Sequence, residues 1–292
     1  MHLETLKVFC DVVETRSFST AASQNFVTQS AVSQQVRMLE ERYGRRLLER
    51  SRGNVQVTPA GEILYHASKE IVQLYQAMEG RLAAEAEVVS GTVRVATVHS
   101  IGLYELSAPL KSYLTAFPAV HVHLEYSRSS KIYEDASRGK IDFGIVAYPS
   151  RRPGITVLPF RQDRLVLVVP PTHPLARNKQ VALAKLSGEP LVGYERDIPT
   201  RKETDRMLRR YGVDLRYVME LDNIETIKRV VEIGRGIAIL PEPAVRQEVK
   251  AKTLTVVQLS DEVFLRPLGI IHRQGKHFSP AAEKFIEFLR TA

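Results

Sequence analysis

The sequence predicts an α/β protein with a small helical N-terminal domain, one long helix and a larger C-terminal domain of strands and helices. Three observations predict this fold class. Residues 1–45 show helical periodicity, with no proline and no glycine before Gly44. Residues 59–88 carry an apolar seam with coiled-coil spacing. From Gly91 onward, short β-branched or aliphatic runs alternate with helical stretches, which indicates a mainly parallel sheet.

The first 45 residues predict three helices, each recognised from its apolar spacing or its cap. The apolar face of the first helix is formed by Leu3, Leu6, Phe9, Cys10 and Val13. We interpret Cys10 as a small core residue rather than a redox centre. The second helix begins near Ser19 and the third follows Thr28, because both hydroxyls suit N-caps. The buried stripe of the third helix is formed by Val32, Val36, Leu39 and Tyr43.

The third helix also has a polar face. This face is formed by Gln29, Ser30, Ser33, Gln34 and Arg37. A short helix, a tight turn and a second helix with such a face make the helix-turn-helix geometry that enters the major groove of DNA. Glutamine and serine suit base edges, whereas Arg37 suits a phosphate or a guanine. Three-helix bundles with a polar face also occur in proteins that never bind DNA, so the pattern alone leaves both interpretations open.

A β-hairpin follows the third helix. Two short strands flank a turn at Gly53 and Asn54, which supply the positive φ angles that such a turn needs. Arg50 and Arg52 make this hairpin a basic wing that contacts the flanking DNA backbone or the minor groove. The wing favours DNA binding, so residues 1–58 predict a winged helix-turn-helix domain.

One long helix is predicted from Pro59 to Val88. Thr58 caps it, and proline at its first position costs no hydrogen bond. The apolar seam alternates steps of four and three residues and is formed by Ala60, Leu64, Ala67, Ile71, Leu74 and Met78. We interpret residues 59–90 as a linker helix that pairs with a second copy of the chain. The alternative is that the seam packs on its own domain.

Residues 91–292 predict a domain of alternating strands and helices. The predicted strands are 92–97, 120–126, 141–147 and 165–169, and the predicted helices are 103–117, 131–138, 200–211, 224–233 and 280–289. At roughly 200 residues this region forms either one domain or two lobes, and the alternation alone leaves that open.

The composition indicates a soluble globular chain with no membrane partner. The sequence has 292 residues, 44% of them apolar, and lacks a run long and apolar enough to cross a bilayer. A single cysteine and an N-terminus without a secretion signal predict a cytoplasmic location. Residues 91–292 hold 31 of the 41 lysines and arginines and carry a net charge of +9, whereas the whole chain carries +8. Attraction to DNA, a pocket for an anionic small molecule, or solvated surface each explain this excess.

No catalytic or metal-binding motif stands out in the sequence. His121 and His123 share one face of a strand, but no third ligand lies nearby, and His99 and Ser100 are neighbours that point apart in a strand. The Walker, G-x-G-x-x-G, H-E-x-x-H and C-x-x-C patterns are absent from the sequence. We therefore predict no enzyme activity, no cofactor and no metal. The competing interpretation is an α/β enzyme with an N-terminal oligomerisation bundle.

Three stretches of the first 40 residues resemble the LysR-type transcriptional regulators. They are 17–22 (SFSTAA), 27–33 (VTQSAVS) and 37–40 (RMLE), and the further matching residues are Gly44, Leu47, Leu48, Arg50, Thr58, Pro59, Ala60 and Gly61. Residues 234–241 (GRGIAILP) resemble a late signature of the family's effector domain. The resemblance extends over the whole chain, because the order of its parts is also that of the family.

The resemblance implies a winged helix-turn-helix, a linker helix that joins two subunits, and a two-lobed effector domain like a periplasmic-binding protein of type 2. It also implies homodimers that assemble into homotetramers on the double-stranded DNA of promoters, and it allows RNA polymerase as a partner. The lobes are expected to comprise residues 91–161 with 268–292, and residues 162–267. The implied DNA contacts are Thr28, Gln29, Ser30, Ser33, Gln34, Arg37, Arg50 and Arg52. Gln34 departs from the family pattern, because many members carry arginine there.

The effector site is expected in the cleft between the lobes, where strands end and helices begin. Hydroxyls and backbone N–H groups at such junctions favour an anion, and Arg201 adds a charge-assisted contact. The predicted effector contacts are Ser100, Ser129, Ala147, Thr200, Arg201 and Asn223. Each Ser or Thr taken singly is more simply an N-cap. Together they predict a small anionic effector that shifts the angle between the lobes and so controls DNA binding.

Overall fold

The computed structural model describes residues 2–51, 54–84, 89–214 and 216–291. The chain divides into two compact units. The first contains residues 1–89 together with the short segment 277–280, and the second contains residues 90–276 and 281–292. This division falls close to the predicted border between the long helix and the C-terminal domain.

The first unit has the predicted order of helices, hairpin and long helix. Its elements are α1 (Leu3–Thr15), α2 (Phe18–Gln24), α3 (Gln29–Tyr43), β1 (Leu48–Ser51), β2 (Asn54–Val57) and α4 (Pro59–Ala84). The predicted N-cap of α2 is wrong by two residues, because Ser17 rather than Ser19 accepts a hydrogen bond from the backbone N–H of Thr20. Phe18 is buried as the first helical residue, which leaves Ser17 in the extended conformation of a cap.

The core of the first unit is formed by the apolar faces of α1, α2 and α3. Phe9, Val12, Ala21 and Val32 have no exposed surface. Cys10 lies among them, and burial raises the pKa of its thiol to about 12. A thiol with so high a pKa stays protonated and unreactive at neutral pH, which supports its assignment as a core residue.

Helix α4 packs one face on its own unit. Of the predicted seam, Ala60 and Leu64 pack against the core of this unit, whereas the later residues Ala67, Ile71, Leu74 and Met78 are exposed. Thr58 caps the helix, since its hydroxyl accepts a hydrogen bond from the backbone N–H of Gly61 over 3.0 Å. A Cβ atom at Gly61 would lie 2.1 Å from the carbonyl oxygen of Leu47, so this contact requires glycine. Tyr65 and Val72 belong to the core cluster of the unit. The predicted extension of the helix over residues 85–88 lies outside the described residues.

The second unit is built from short strands with helices between them. Its strands are β3 (Gly91–Thr97), β4 (Val120–Tyr126), β5 (Phe143–Ala147), β6 (Ile155–Val169), β7 (Gln180–Val181), β8 (Pro190–Tyr194), β9 (Arg216–Leu221), β10 (Ala238–Pro241), β11 (Thr255–Leu259) and β12 (Leu265–Arg273). Its helices are α5 (His99–Tyr104), α6 (Ser107–Ala116), α7 (Ser129–Ser137), α8 (Pro199–Arg210), α9 (Ile224–Glu232), α10 (Arg246–Ala251) and α11 (Pro280–Thr291).

The predicted single helix over residues 103–117 is two helices, α5 and α6. Pro109 is the third residue of α6. Within a continuous helix its ring would clash with the carbonyl of Glu105, so the chain breaks and begins a new helix at Ser107.

The main sheet is mixed, so the prediction of a mainly parallel sheet is wrong. Strand β3 pairs in parallel with β4 and β5, but β12 pairs antiparallel with both β5 and β6. Strands β10 and β11 also pair antiparallel with β6. A separate two-stranded parallel sheet is formed by β8 and β9. The antiparallel pairs arise because β6 and β12 are long strands that return alongside each other.

The second unit has the two-lobed α/β fold. One apolar cluster around Ala96, Ile132 and Ile271 joins β3, α7 and β12. Two others, around Leu167 and Val168, join the second half of β6 to β8, β10 and β11. Strand β6 contributes to both regions. Strand β12 pairs with β6 and contributes Ile271 to the first region, and Phe264, directly before β12, belongs to the cluster around Leu167. The two strands therefore connect the lobes. Within the described part of the chain, no helix is both long and apolar enough to span a membrane.

Candidate nucleic-acid interface and effector cleft

The first turn of α3 presents a cluster of uncharged hydrogen-bonding groups. Thr28 caps the helix by accepting a hydrogen bond from the backbone N–H of Ala31 over 3.2 Å. Its hydroxyl also lies 2.9 Å from that of Ser30, and the Gln29 side-chain amide donates to Ser33 over 3.1 Å. These contacts hold the side chains on one face without burying their outer donors and acceptors.

The residues predicted to contact DNA lie together on this face. Thr28, Gln29, Ser30, Gln34 and Arg37 are exposed, and Ser33 is half-buried. The opposite face of α3 is buried at Val32, Val36 and Leu39. The polar face is therefore free to meet another molecule, which is the geometry that a groove-reading helix needs.

A side chain of α1 holds the turn between α2 and α3 in place. The side-chain amide of Asn25 donates to Asp11 over 2.7 Å and to the carbonyl of Ala21 over 2.9 Å. The next residue, Phe26, adopts a left-handed backbone conformation with φ of 55° and is 96% exposed. Sequence reasoning did not single out Phe26, the exposed aromatic residue of this turn.

The wing is attached to the end of α3. The carboxylate of Glu40 accepts hydrogen bonds from the backbone N–H groups of Leu47 and Leu48 over 2.8 and 3.2 Å. In the hairpin, Ser51 pairs with Asn54, so β1 and β2 are closely connected. The side chain of Arg50 and the whole of Arg52 lie outside the described residues.

Two arginines just before the wing were not predicted as part of the interface. Arg45 and Arg46 are exposed between the end of α3 and the start of β1. The sequence could have indicated these two arginines, because they directly follow Gly44, which ends α3. Exposed cations at this point suit contacts to phosphate.

A cleft of about 440 Å³ lies in the second unit. Its walls include four of the six residues predicted for the effector site, namely Ser100, Ser129, Ala147 and Thr200. They lie at the start of α5, α7 and α8 and at the end of β5. The cleft is thus bounded by strand ends and helix starts, as expected.

Arg201 was predicted to contact the effector, but the structure directs it away from the cleft. Its side chain is 4% exposed, and its guanidinium donates to Asp205, to Glu220 and to the carbonyl of Tyr194. The guanidinium carbon also lies 3.3 Å from the ring centre of Tyr217. The two neighbours of Arg201 on α8, Thr200 and Lys202, line the cleft instead.

Asn223 was also predicted for the cleft, and the structure uses its side chain as a helix cap. Its side-chain oxygen accepts a hydrogen bond from the backbone N–H of Glu225 over 2.8 Å. Its neighbours Asp222 and Ile224 line the cleft. Side chains alternate along an extended chain, so the residues on either side of Asn223 face the opening.

Three cations line the cleft and differ in what they contact. Arg128 bridges the two sides of the opening, because its guanidinium donates to Glu195 over 2.6 Å and to Asp197 over 3.0 Å. Arg152 lies over the ring of Tyr133, 3.8 Å from its centre. The side chain of Lys202 is exposed and makes no hydrogen bond or ion pair to another described residue. Neither Arg152 nor Lys202 pairs with a carboxylate of the described residues, so both positive charges are available to a ligand.

A buried ion pair supports the floor of the cleft. Arg266 on β12 and Asp163 on β6 are directly opposite in the register, and both are almost fully buried. Arg266 donates to Asp163 through Nε over 2.9 Å and also through Nη2, and its Nη1 donates to Ser100 over 3.0 Å. Sequence reasoning missed this pair, which connects the two strands shared by the lobes to a residue that lines the cleft.

The histidines noted in the sequence do not form a metal site with other described residues. No group of three or more His, Cys, Asp or Glu side chains in residues 2–51, 54–84, 89–214 and 216–291 is placed to hold a metal ion. His99 is stacked on Tyr126, with ring centres 5.0 Å apart.

Two family models match the chain and together cover nearly all of it. The bacterial regulatory helix-turn-helix protein model of the lysR family matches residues 3–62, and the LysR substrate binding domain model matches residues 86–292. The sequence is 30% identical over 286 residues to the uncharacterized HTH-type transcriptional regulator YeiE of Escherichia coli (strain K12), covering 98% of this chain and 96% of that protein. It is 25% identical over 291 residues to the HTH-type transcriptional regulator CysL of Bacillus subtilis (strain 168), covering 100% and 97%.

Known structures share the fold over the full chain or its C-terminal unit. A full-length variant of OxyR from Pseudomonas aeruginosa matches with a TM-score of 0.81 at 22% identity, covering 100% of this chain and 94% of that one. Full-length CbnR complexed with its target DNA matches with a TM-score of 0.67 at 24% identity, covering 100% and 99%. The CcmR regulatory domain of Synechocystis PCC6803, in complex with 2-PG, matches with a TM-score of 0.64 at 23% identity, covering 69% and 97%.

Proposed function

The chain belongs to the LysR family of bacterial transcriptional regulators, and from this premise we propose that α3 and the wing read promoter DNA under the control of a small anionic effector. The family assignment establishes a helix-turn-helix domain and an effector-binding domain. The proposal concerns which residues carry these two functions and what kind of molecule the cleft binds.

The exposed polar face of α3 is the observation that carries the DNA-binding part of the proposal. Gln29, Ser30 and Ser33 present amide and hydroxyl groups that suit base edges in the major groove. Gln34 lies beside them, and Thr28 keeps the helix start in place. Arg37, Arg50 and Arg52 are assigned to phosphates and to the minor groove, which adds affinity without base preference. In a related fold, CbnR has been observed with its target DNA.

Alanine at both Gln29 and Ser33 is expected to weaken binding to the DNA upstream of the protein's own coding region by about 10- to 100-fold. The reason is the loss of hydrogen bonds to base edges, while the buried face of α3 is unchanged. Fluorescence anisotropy with a labelled duplex measures this. The control is Gln76→Ala, an exposed glutamine on α4 away from the wing, which is expected to bind like the wild type. Equal binding by both variants contradicts the assignment.

The effector part of the proposal is supported by the composition of the cleft. Hydroxyls of Ser100, Ser129 and Thr200 lie at helix starts, where backbone N–H groups favour negative charge. Lys202 adds a cation, whereas Arg201 is left out of the proposed contacts because its donors are occupied. A related regulatory domain has been observed with 2-PG. Calorimetric binding of neutral or cationic compounds alone contradicts an anionic effector.

We assign the domains as residues 1–58, 59–90 and 91–292, with α4 as the contact between two subunits. The seam residues Ile71, Leu74 and Met78 are 46%, 56% and 46% exposed in the single chain. An apolar stripe of this length on a helix favours a second copy as its partner. We further propose that dimers associate into tetramers in the cytoplasm, that RNA polymerase is contacted at the promoter, and that the chain has no enzymatic activity.

A further inference from the structure

One buried hydroxyl at the cleft has no partner among the described residues. Tyr194 ends β8 and lines the cleft, and its side chain is only 7% exposed. Its hydroxyl makes no hydrogen bond to any of these residues. Burial raises the pKa of Tyr194, so the hydroxyl keeps its proton at neutral pH and is available as a donor. Because an unpaired buried hydroxyl costs free energy, Tyr194 favours a ligand that accepts a hydrogen bond from this hydroxyl.

Ser100 is held as a second donor in the same cleft. The Nη1 atom of Arg266 donates to Ser100 Oγ over 3.0 Å. A guanidinium group has donors and no acceptor, so the serine oxygen must accept this hydrogen bond. The hydrogen of Ser100 is then directed to a different acceptor, and Ser100 lines the cleft.

The orientation of Arg266 is fixed by the strands that connect the lobes. Arg266 and Asp163 are 1% and 3% exposed and face each other across β12 and β6. Two of the guanidinium nitrogens donate to one oxygen of Asp163, which leaves Nη1 for Ser100. This arrangement neutralises the charge of Arg266 but keeps Ser100 oriented as a donor.

We propose that Tyr194 determines the ligand specificity of the cleft by donating, together with Ser100, to the unprotonated oxygens of a carboxylate or phosphoryl group. The inference rests on the proposed effector role of the cleft and adds the groups that read the effector. An ammonium group, which only donates, leaves the hydrogens of both hydroxyls without an acceptor. The exposed cation of Lys202 at the same cleft favours the negative charge of the ligand.

Calorimetric titration of the full-length protein with inorganic phosphate and, separately, with succinate tests the proposal. Tyr194→Phe is expected to lower the affinity for the anion that binds by about tenfold, which is the effect of one hydrogen bond to a charged group. The matched control is Tyr217→Phe in β9, the partner strand of β8. The Tyr217 hydroxyl donates to Asp205 over 2.5 Å and the residue does not line the cleft, so this variant is expected to bind within about twofold of the wild type.

The two anions distinguish the sources of the ligand oxygen. Loss of phosphate binding in Tyr194→Phe supports a phosphoryl ligand, and loss of succinate binding supports a carboxylate. If Tyr194→Phe binds the anion as tightly as the wild type does, the role of Tyr194 is overturned and the anionic-effector proposal is unaffected. A wild-type protein that binds neither anion overturns the anionic-effector proposal and this inference with it.

Thermal unfolding without either anion gives a readout that does not depend on binding. Tyr194→Phe removes an unpaired buried hydroxyl, so its Tm is expected to stay the same or to rise by about 1–4 °C. Tyr217→Phe breaks a hydrogen bond and is expected to lower the Tm by a similar amount. A fall in the Tm of Tyr194→Phe as large as that of the control indicates that the hydroxyl has a partner within the protein, which also overturns the proposal.

Discussion

Aspartate in place of Leu74 is expected to separate the two subunits that pair through α4 and to reduce the affinity for DNA by about a hundredfold or more. Leu74 lies in the middle of the exposed seam of α4 and is 56% exposed in the single chain. Pairing of two such seams would bury the new carboxylate without a partner, which opposes association. A separated subunit also loses the gain in affinity that comes from binding two half-sites at once. Sedimentation equilibrium and anisotropy with the upstream duplex measure the two effects.

The control for this prediction introduces the same charge on another face of α4. Gln76 is exposed and lies about 200° around the helix from Leu74. Gln76→Asp is therefore expected to keep the oligomeric state of the wild type and to bind DNA like it. A Leu74→Asp protein that sediments like the wild type shows that the seam does not join the subunits.

Leucine in place of Arg266 is expected to lower the free energy of unfolding by about 3–5 kcal/mol. The change leaves the carboxylate of Asp163 buried at 3% exposure without its partner and removes the hydrogen bond that orients Ser100. The double variant Arg266→Leu with Asp163→Leu is expected to recover most of this loss, because an apolar pair avoids the buried charge. Urea denaturation of the three proteins measures these differences.

An exposed ion pair supplies the control for the loss at Arg266. Arg206 pairs with Glu203 on α8, and its side chain is 72% exposed. Arg206→Leu is expected to change stability by about 1 kcal/mol or less. A loss of that small size at Arg266 would mean that the buried pair does not stabilise the connection between the lobes.

The first unit was predictable from the sequence because its signals are local. The stripe of Val32, Val36 and Leu39 fixed the buried face of α3, and Thr28 and Gly44 mark its two ends. Tyr43, predicted in the same buried stripe, is 44% exposed in the last turn, so that part of the prediction is wrong. The cap of α2 was misplaced because Ser17 and Ser19 are both suitable residues and only the burial of Phe18 distinguishes them.

For the second unit, the sequence predicted where most helices and strands lie, but not the direction in which the strands of the main sheet pair. Alternating strands and helices suggested parallel crossovers, but β12 pairs antiparallel along its whole length with residues 155–164 of β6. The middle of β6 contains Arg161, Asp163 and Arg164, which interrupt its apolar pattern, so the strand was recognised only from Leu165 onward. Pairing between residues a hundred positions apart depends on tertiary structure, which single-sequence periodicity does not report.

The effector cleft was predictable where a strand end alone defines a position. Ser100, Ser129 and Thr200 follow this rule and line the cleft. Arg201 does not follow this rule, because its side chain points away from the cleft although its neighbour Thr200 lines it. The Arg266–Asp163 pair and the unpaired hydroxyl of Tyr194 arise from distant parts of the chain, so no local pattern indicates them.

We propose that the uncharged face of α3 reads DNA bases. Selection of bound duplexes from a randomised pool is the most direct test of this role. Comparison of the wild type with the Gln29→Ala, Ser33→Ala variant is expected to show relaxed preference at one or two base positions in each half-site. The salt dependence of affinity is expected to stay the same, because phosphate contacts are retained. An unchanged base preference in the variant contradicts the claim and places sequence recognition elsewhere in the protein.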